Sequence, residues 1–541
     1  MRWFPASPRA RGALLLAALP WLNPFARGPS PSVMPWLVSA ACGLALWAAA
    51  ATGPVRTAPP RGLVAASAAV VAWAALSQLT FRPEILMLAA GLVLVLLAAG
   101  CARDPEIARG LQAGFLAAAA ISALLGLAQY FGLSPRLAPL ANLAPTGEAY
   151  ANLRQPNQYA TLCWIGGAVV LFGTLRLPRR VAGGLLVLLA AGCAASVSRT
   201  GLLQGLGLVV LAALWESPGR RERLRLGALA VAAYFVAAVA LPVLLEATTG
   251  ALPARTLWGR LGGGQACSSR LVLWSNVLHL VAQKPWAGWG WGELDFAHFD
   301  TLYGGPRFCD ILDNAHNLPL HLAVELGVPL AALACVLALA WVLRQRPWRE
   351  VDALRQLAWA VAALILLHSL LEYPLWYGPF QIAFGASLGW LAAAPPSAAG
   401  RRSHALSMAV ACALGAAIVY AAWDYARISQ VYLPPRERFA AWADDSLGYA
   451  RRSWLFSGQA GFAELLLEVP DRSNAQGLYL LALEQLHYSP EPRVIERAIE
   501  CATLLGREQD AVALLARYRA AFPQDYEAWR QARGIVPPAA R

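Results

Sequence analysis

The stretch "DNAHNLPLHLAVELGVPLAALACVLALAWVL", residues 313–343, decides what kind of protein this is. From residue 318 it reads as one apolar run, long enough to cross the ~30 Å hydrocarbon layer of a bilayer. His316 stands at the mouth of that run and His321 lies about one turn inside it. An imidazole is costly in hydrocarbon and seldom sits at its edge without a task. Apolar runs of about 18–22 residues recur along the whole chain. The 541 residues are 58% hydrophobic and only 14% charged, with mean hydropathy +0.48. That balance leaves too little polar surface for a soluble protein, so the expected class is an all-α integral membrane protein.

About thirteen spans (twelve or thirteen) are expected: near 12–22, 33–53, 62–79, 84–100, 110–132, 158–175, 181–197, 201–215, 227–246, 318–343, 356–372, 377–395 and 405–423. The first is short and contains Pro20, and it resembles a signal peptide. Residues 24–32 lack a small-x-small cleavage site, so it reads as an uncleaved span. The net charge of +13 comes almost entirely from arginine, and its placement matters more than its size. Arg2, Arg9, Arg11, Arg56, Arg61, Arg103, Arg109, Arg176, Arg179, Arg180, Arg220, Arg221, Arg223, Arg225, Arg344, Arg346, Arg349, Arg355, Arg401 and Arg402 fall in one set of short loops. The opposite set holds Arg27, Arg82, Arg136, Arg154 and Arg199. Positive charge stays in the cytoplasm. The N-terminus is therefore expected inside, and the loop 247–317 and the tail 424–541 outside. The basic balance is an orientation signal, and no nucleic-acid partner is expected. Residues 1–423 form the expected membrane domain.

The tail is richer in charge, and its apolar residues take helical spacing, as in "AQGLYLLALEQLHYSP" (475–490). Its proline-closed helices resemble tetratricopeptide-like hairpins, a small soluble helical domain suited to docking or to covering the membrane part.

The outer side carries the unusual chemistry. "NLRQPNQYATL" (152–162) crowds Arg154, Gln155, Asn157 and Gln158 at the start of a span, as interfacial caps or as ligands for sugar or phosphate. Arg199 in "SVSRTGLLQ" (196–204) stands between two apolar spans, where guanidinium needs a partner; a phosphate fits its bidentate fork. "CSSRLVLWSNVLHLVAQKPWAGWGWGELDF" (267–296) starts as a helix capped by Ser268 or Ser269. Arg270 lies in its first turn, the wrong end for the helix dipole unless an anion binds there. Trp286, Trp289 and Trp291 read as interfacial anchors, or as platforms for a sugar ring. In "CDILDNAHN" (309–317) a nearby carboxylate would raise the basicity of His316, which with Asn317 makes a candidate general base. His321 reads as a satisfied core residue. The spacing HNLPLH lacks a third ligand, so no metal site is expected. "LHSLLEYPLWYGPF" (367–380) places Glu372, Tyr373 and Tyr377 in a proline-broken turn on the same face.

The ordered set of "SRTG", "SSRLVLW", "PWAGWGWG" and "HNLPLHLAVELGVPL" resembles the O-antigen ligase and polymerase superfamily. "LRQPNQYATL", "EYPLWYGPF" and the helical tail are most similar to its bacterial protein O-oligosaccharyltransferase branch, which glycosylates pilins. The resemblance covers residues 150–395 by motif. It implies a metal-independent membrane glycosyltransferase fold in the bacterial inner membrane, without cofactor. The implied donor is a glycan on undecaprenyl diphosphate, and the implied acceptor a hydroxyl of a periplasmic protein. By motif, His316 matches the essential histidine, and Arg199 and Arg270 match the arginines on the diphosphate. Gln158 and either Tyr373 or Tyr377 match positions of the protein-glycosylating branch. Lipid A-core or another glycan as acceptor (a ligase or a polymerase) stays open. A transporter is the alternative from another class, but polar residues gather at one surface and not at the bilayer midplane. Cys267 and Cys309 are the two cysteines of the outer loop, in an oxidising compartment, and are expected to form a disulfide. Two free thiols, or Cys501 as a competing partner, are the alternatives.

Overall fold

A computed structural model describes residues 7–25, 32–55, 57–77, 83–153, 155–216, 219–253, 267–392 and 401–533, with the side chains of 401–403 set aside. Arg154 lies outside the described residues, as do Arg2, Arg27, Arg56, Arg82 and the expected span ends at 78–79 and 393–395. Regular structure among the described residues is helical. The helices are α1 (Pro8–Leu22), α2 (Val33–Ala51), α3 (Arg61–Ser77), α4 (Glu84–Cys101), α5 (Pro105–Tyr130), α6 (Pro156–Phe172), α7 (Arg179–Ala195), α8 (Arg199–Leu214) and α9 (Arg220–Thr249). They continue as α10 (Arg270–Gln283), α11 (Leu294–Asp300), α12 (Leu318–Leu326), α13 (Val328–Gln345), α14 (Ala353–Ser369), α15 (Gly378–Leu391) and α16 (Arg401–Ser429). The tail adds α17 (Ser446–Arg451), α18 (Ser457–Leu467), α19 (Ala475–Tyr488), α20 (Pro492–Leu504), α21 (Glu508–Ala521) and α22 (Pro523–Ala532). Among the described residues six helices are long and apolar enough to cross a membrane: Val33–Ala51, Glu84–Cys101, Pro105–Tyr130, Arg220–Thr249, Val328–Arg349 and His404–Tyr432. The chain divides into two compact units.

The first unit comprises Met1–Val70, Leu88–Gly263 and Leu337–Val419. Its tightest pairing lays α1 on α5. Gly110 and Gly114 of α5, a small-xxx-small pair, face Ala13 and Ala17; a Cβ on either glycine would sit 2.5 or 2.6 Å from those methyls. Small residues let helix backbones approach where lipid offers no hydrophobic drive. Trp21 fills the space beyond, edge-on to Phe115 and Phe380 at 6.5 and 4.8 Å. At the start of both helices Arg9 bridges Asp104 (2.9 Å) and Glu106 (2.8 Å), and Asp104 also caps α5. Arg9 thus ties the start of α1 to the start of α5.

The second unit comprises Val71–Met87, Gly264–Val336 and Tyr420–Arg541. Here the expected single span 318–343 is corrected. The run breaks at Gly327 (φ +89°), and the short α12 packs on α10. Three causes act together. Glu325 is 1% exposed and needs protein around it. Gly327 supplies a backbone geometry barred to most residues, and Pro329 suits the first turn of the next helix. The freed carbonyls of α12 are then satisfied from "PWAGWGWG": Trp289 N donates to Val324 O (2.9 Å) and Gly290 N to Glu325 O (3.0 Å). Trp73 Nε1 donates to Leu326 O (2.8 Å). Gly288, Gly290 and Gly292 all have positive φ, and a side chain at Gly288 would run into the Glu325 carbonyl.

Cys267 and Cys309 are joined by a disulfide with Cα atoms 5.4 Å apart, inside the ~7 Å reach of such a bond. Cys501 is buried in the tail as a free thiol, and burial pushes its pKa up to about 11. In the tail α19, α20 and α21 pack each on the next. Loop helix α11 joins their core through Phe299. It is held by Glu293 to His487 (2.6 Å), Phe296 stacked on His487 (3.6 Å) and Asp300 to Arg517 (2.8 Å).

Candidate functional site

In the first unit three segments converge on a polar junction. Gln155 caps α6 by accepting from Gln158 N at 2.7 Å, so "RQPNQ" turns the chain into its span. Gln158 is buried at 3% exposure. Ser198 caps α8, which puts Arg199 at that helix's first position, exposed. The turn after α14 carries Glu372, Tyr373 and Tyr377, and the two tyrosine rings stack at 5.9 Å with 23° between planes. Both rings are half-buried and face each other, so the pair acts as one surface and the structure does not choose between them. Asn157 Nδ2 donates to Glu372 Oε1 (3.2 Å), and Ser198 Oγ donates to Asn157 Oδ1 (2.6 Å). A small cleft beside the junction is lined by Gly147, Glu148, Ala149, Pro156, Ala195, Ser196 and Val197. The residues that immediately precede Gln158, Arg199 and Tyr373 are thus tied together within this unit.

Below the junction Thr161 shares contacts with Gln204 (2.9 Å) and His368 Nδ1 (3.0 Å), and Gln204 Nε2 donates to Leu364 O (2.9 Å). Sequence reasoning passes over these three residues. The signal is there: each is polar within an expected span, and intramembrane polar residues are retained for a reason.

In the second unit, Ser269 caps α10 through Val272 N (3.3 Å), and Arg270 sits at the helix's first position, half-buried. His316 is half-buried in a left-handed conformation (φ +49°), its backbone N–H held by Asn314 Oδ1 at 2.9 Å. Asn317 caps α12 immediately after it. Backbone strain of this sort persists only where surroundings impose it. It recurs at Val197 (φ +53°), two residues before Arg199, a β-branched residue for which it is a true outlier. Desolvation raises the pKa of Asp313, against the pull of the nearby His316 and His321.

His321 is 2% exposed and its Nε2 lies 3.3 Å from Glu325 Oε2, with the Trp291 ring edge-on at 5.7 Å. It belongs to the core. The three tryptophans of "PWAGWGWG" have separate fates. Trp286 is 78% exposed, Trp289 donates to Leu280 O (3.0 Å) under the Lys284 ammonium, and Trp291 is buried against His321. Nearby, burial and the Arg307 guanidinium drive the pKa of His298 down to about 3, against the pull of the Phe308 carbonyl at its Nε2 (3.2 Å), while Nδ1 meets the Tyr303 hydroxyl (2.8 Å).

The six apolar helices of membrane-spanning length among the described residues define a multi-pass helical membrane protein. Comparison with known families gives two matches. An O-antigen ligase model matches residues 184–335, and a model described as virulence factor membrane-bound polymerase, C-terminal, matches residues 356–534. Among curated proteins, the general O-oligosaccharyltransferase of Acinetobacter baylyi is 25% identical over 299 residues, covering 53% of this chain and 50% of that protein. The ComP-specific O-oligosaccharyltransferase of the same organism is 29% identical over 124 residues, 23% of this chain and 22% of that protein. The chain thus spans half the length of the first relative and less than a quarter of the second. Over these stretches the chain is similar to the O-antigen ligase superfamily, and the branch it resembles is that of the O-oligosaccharyltransferases.

Proposed function

We propose that the protein is a lipid-linked-oligosaccharide-dependent glycosyltransferase, metal-independent, that moves a glycan from undecaprenyl diphosphate to Ser or Thr of periplasmic proteins such as pilin. The observation that carries this reading is that the stretch matched to the O-antigen ligase family, residues 184–335, contains all of Arg199, Arg270 and His316. The site would lie at the periplasmic face of the inner membrane, with the N-terminus cytoplasmic and residues 424–541 periplasmic.

The chemistry asks little of the protein. His316 takes the proton of the acceptor hydroxyl as its oxygen bonds to the anomeric carbon. The carbon–oxygen bond to the diphosphate breaks, and the diphosphate leaves with the electron pair, inverting the anomeric centre. Arg199 and Arg270 stabilise the charge growing on the leaving oxygens. Gln158 and the Tyr373–Tyr377 pair orient the donor or acceptor, and Arg154 joins them.

A second reading has support of its own: the family descriptions name a ligase and a polymerase, whose acceptors would be lipid A-core or another glycan. Reconstitution of the full chain with an undecaprenyl-diphosphate glycan, offered either a pilin-like protein or lipid A-core, separates the two. Transfer to protein is expected. Transfer only to lipid A-core would replace the first reading by the second, and transfer to neither would remove both.

A further inference from the structure

Gln158, Arg199 and Tyr373 come from three segments far apart in sequence. In each, the residue immediately before belongs to one hydrogen-bond chain: Asn157, Ser198 and Glu372. Ser198 Oγ donates to Asn157 Oδ1 (2.6 Å) while accepting from Gly201 N (3.0 Å), and Asn157 Nδ2 donates to Glu372 Oε1 (3.2 Å). Ser198 is fully buried and Glu372 is 9% exposed. Such a carboxylate needs donors directed at it. Only a group with an acceptor and a donor on the same short stem can take the serine proton and still serve the carboxylate, and an amide does both. Asparagine at the second residue of α6 puts that amide between the two other segments.

We propose that Asn157 is a positioning residue that sets the mutual register of Gln158, Arg199 and Tyr373 for a lipid-linked diphosphate. The proposal rests on the function assigned above. It acts through the chain's connectivity. Ser198 fixes the first turn of α8 and so the root of Arg199. Glu372, its backbone N–H held by His368 O at 2.8 Å, fixes the turn that presents Tyr373. Asn157 locks both to the start of α6. Losing that lock leaves every ligand present and none of them registered.

The exchange of donor and acceptor tests this. Asn157→Asp sets a carboxylate against Glu372 and breaks the chain. Glu372→Gln alone keeps it, because the introduced amide carbonyl still accepts from Asn157. In the double variant Asn157→Asp/Glu372→Gln the direction reverses: the amide now at position 372 donates to the carboxylate now at position 157, which still accepts from Ser198. Full-length protein in nanodiscs is measured for binding of undecaprenyl diphosphate, for donor KM and kcat, and for melting temperature. Asn157→Asp is expected to weaken binding and raise donor KM by about tenfold, with a smaller change in kcat, and the double variant to recover most of it. Unchanged binding in Asn157→Asp, or no recovery in the double variant, would overturn the positioning role. So would a drop in melting temperature with binding intact in the folded protein, since that is ordinary structural support. Wild type that does not bind undecaprenyl diphosphate would instead remove the underlying function, and this inference with it.

Discussion

Removing the Cys267–Cys309 disulfide is expected to free the loop that it closes without unfolding the membrane helices. The bond closes 42 residues. Chain-entropy arithmetic for a loop of that length gives about 4 kcal/mol, taken from the unfolded loop, or roughly a 10³-fold change in its opening equilibrium. The loop has its own small core, with Leu273, Val277 and Leu280 of α10 against Leu294, Ala297, Phe308, Leu312, Ala315 and Val324. Asn276 pins the two arms, accepting from Phe308 N (2.8 Å) and donating to Pro306 O (3.0 Å). The bond thus tethers Arg270, three residues beyond Cys267, to the segment leading to His316. Hydrogen exchange of the Cys267→Ser/Cys309→Ser variant in nanodiscs reports the opening directly. The Phe308 amide should lose protection by about two to three orders of magnitude, while amides of α5 and α6 stay protected. Donor KM should rise, because Arg270 and His316 lose their common anchor. Free thiols at both positions in the oxidised wild type, or unchanged exchange at Phe308 in the variant, would refute the reasoning.

Four further outcomes are expected. His316→Ala should insert and accumulate normally yet transfer no glycan in the reconstituted assay, whereas His321→Ala should lower melting temperature and yield, because it strands the buried Glu325 carboxylate. Arg199→Lys and Arg270→Lys should each weaken undecaprenyl diphosphate binding by about tenfold in a titration, since a point charge replaces a bidentate fork. Burial raises the Asp295 carboxyl well above its ordinary value, so its ionisation on folding costs stability as pH rises through that raised value and costs nothing below its unfolded value. Asp295→Asn should accordingly raise the melting temperature at about pH 8 and leave it nearly unchanged near about pH 4, keeping the bond from Phe296 N (2.7 Å) to the side-chain oxygen. Gly114→Leu should force α5 away from α1 and cost about 2 kcal/mol or more, read as a lower melting temperature in detergent.

Much of this was legible in the sequence because hydrocarbon leaves the chain few choices. A helix must satisfy its own backbone there, so each apolar run announces a helix by composition and length alone. Arginine in the loops gave an expected orientation for the helix ends. The order of short motifs was enough to show the resemblance to the superfamily, since each motif is a local string. Tertiary structure decided what a string cannot carry. The run 318–343 reads as one span by hydropathy, but the buried Glu325, the left-handed Gly327 and N–H donors lent to its carbonyls by a loop 35 residues upstream divide it into α12 and α13. "PWAGWGWG" reads as interfacial aromatics, but its glycines serve to bring backbone donors onto the end of α12, a contact with no sequence period. The chain from Ser198 through Asn157 to Glu372 spans separations of 41 and 215 residues, and no local pattern links them. Composition and periodicity report how each segment meets its solvent; which polar groups meet one another depends on packing, and packing is settled only when all the helices are in place.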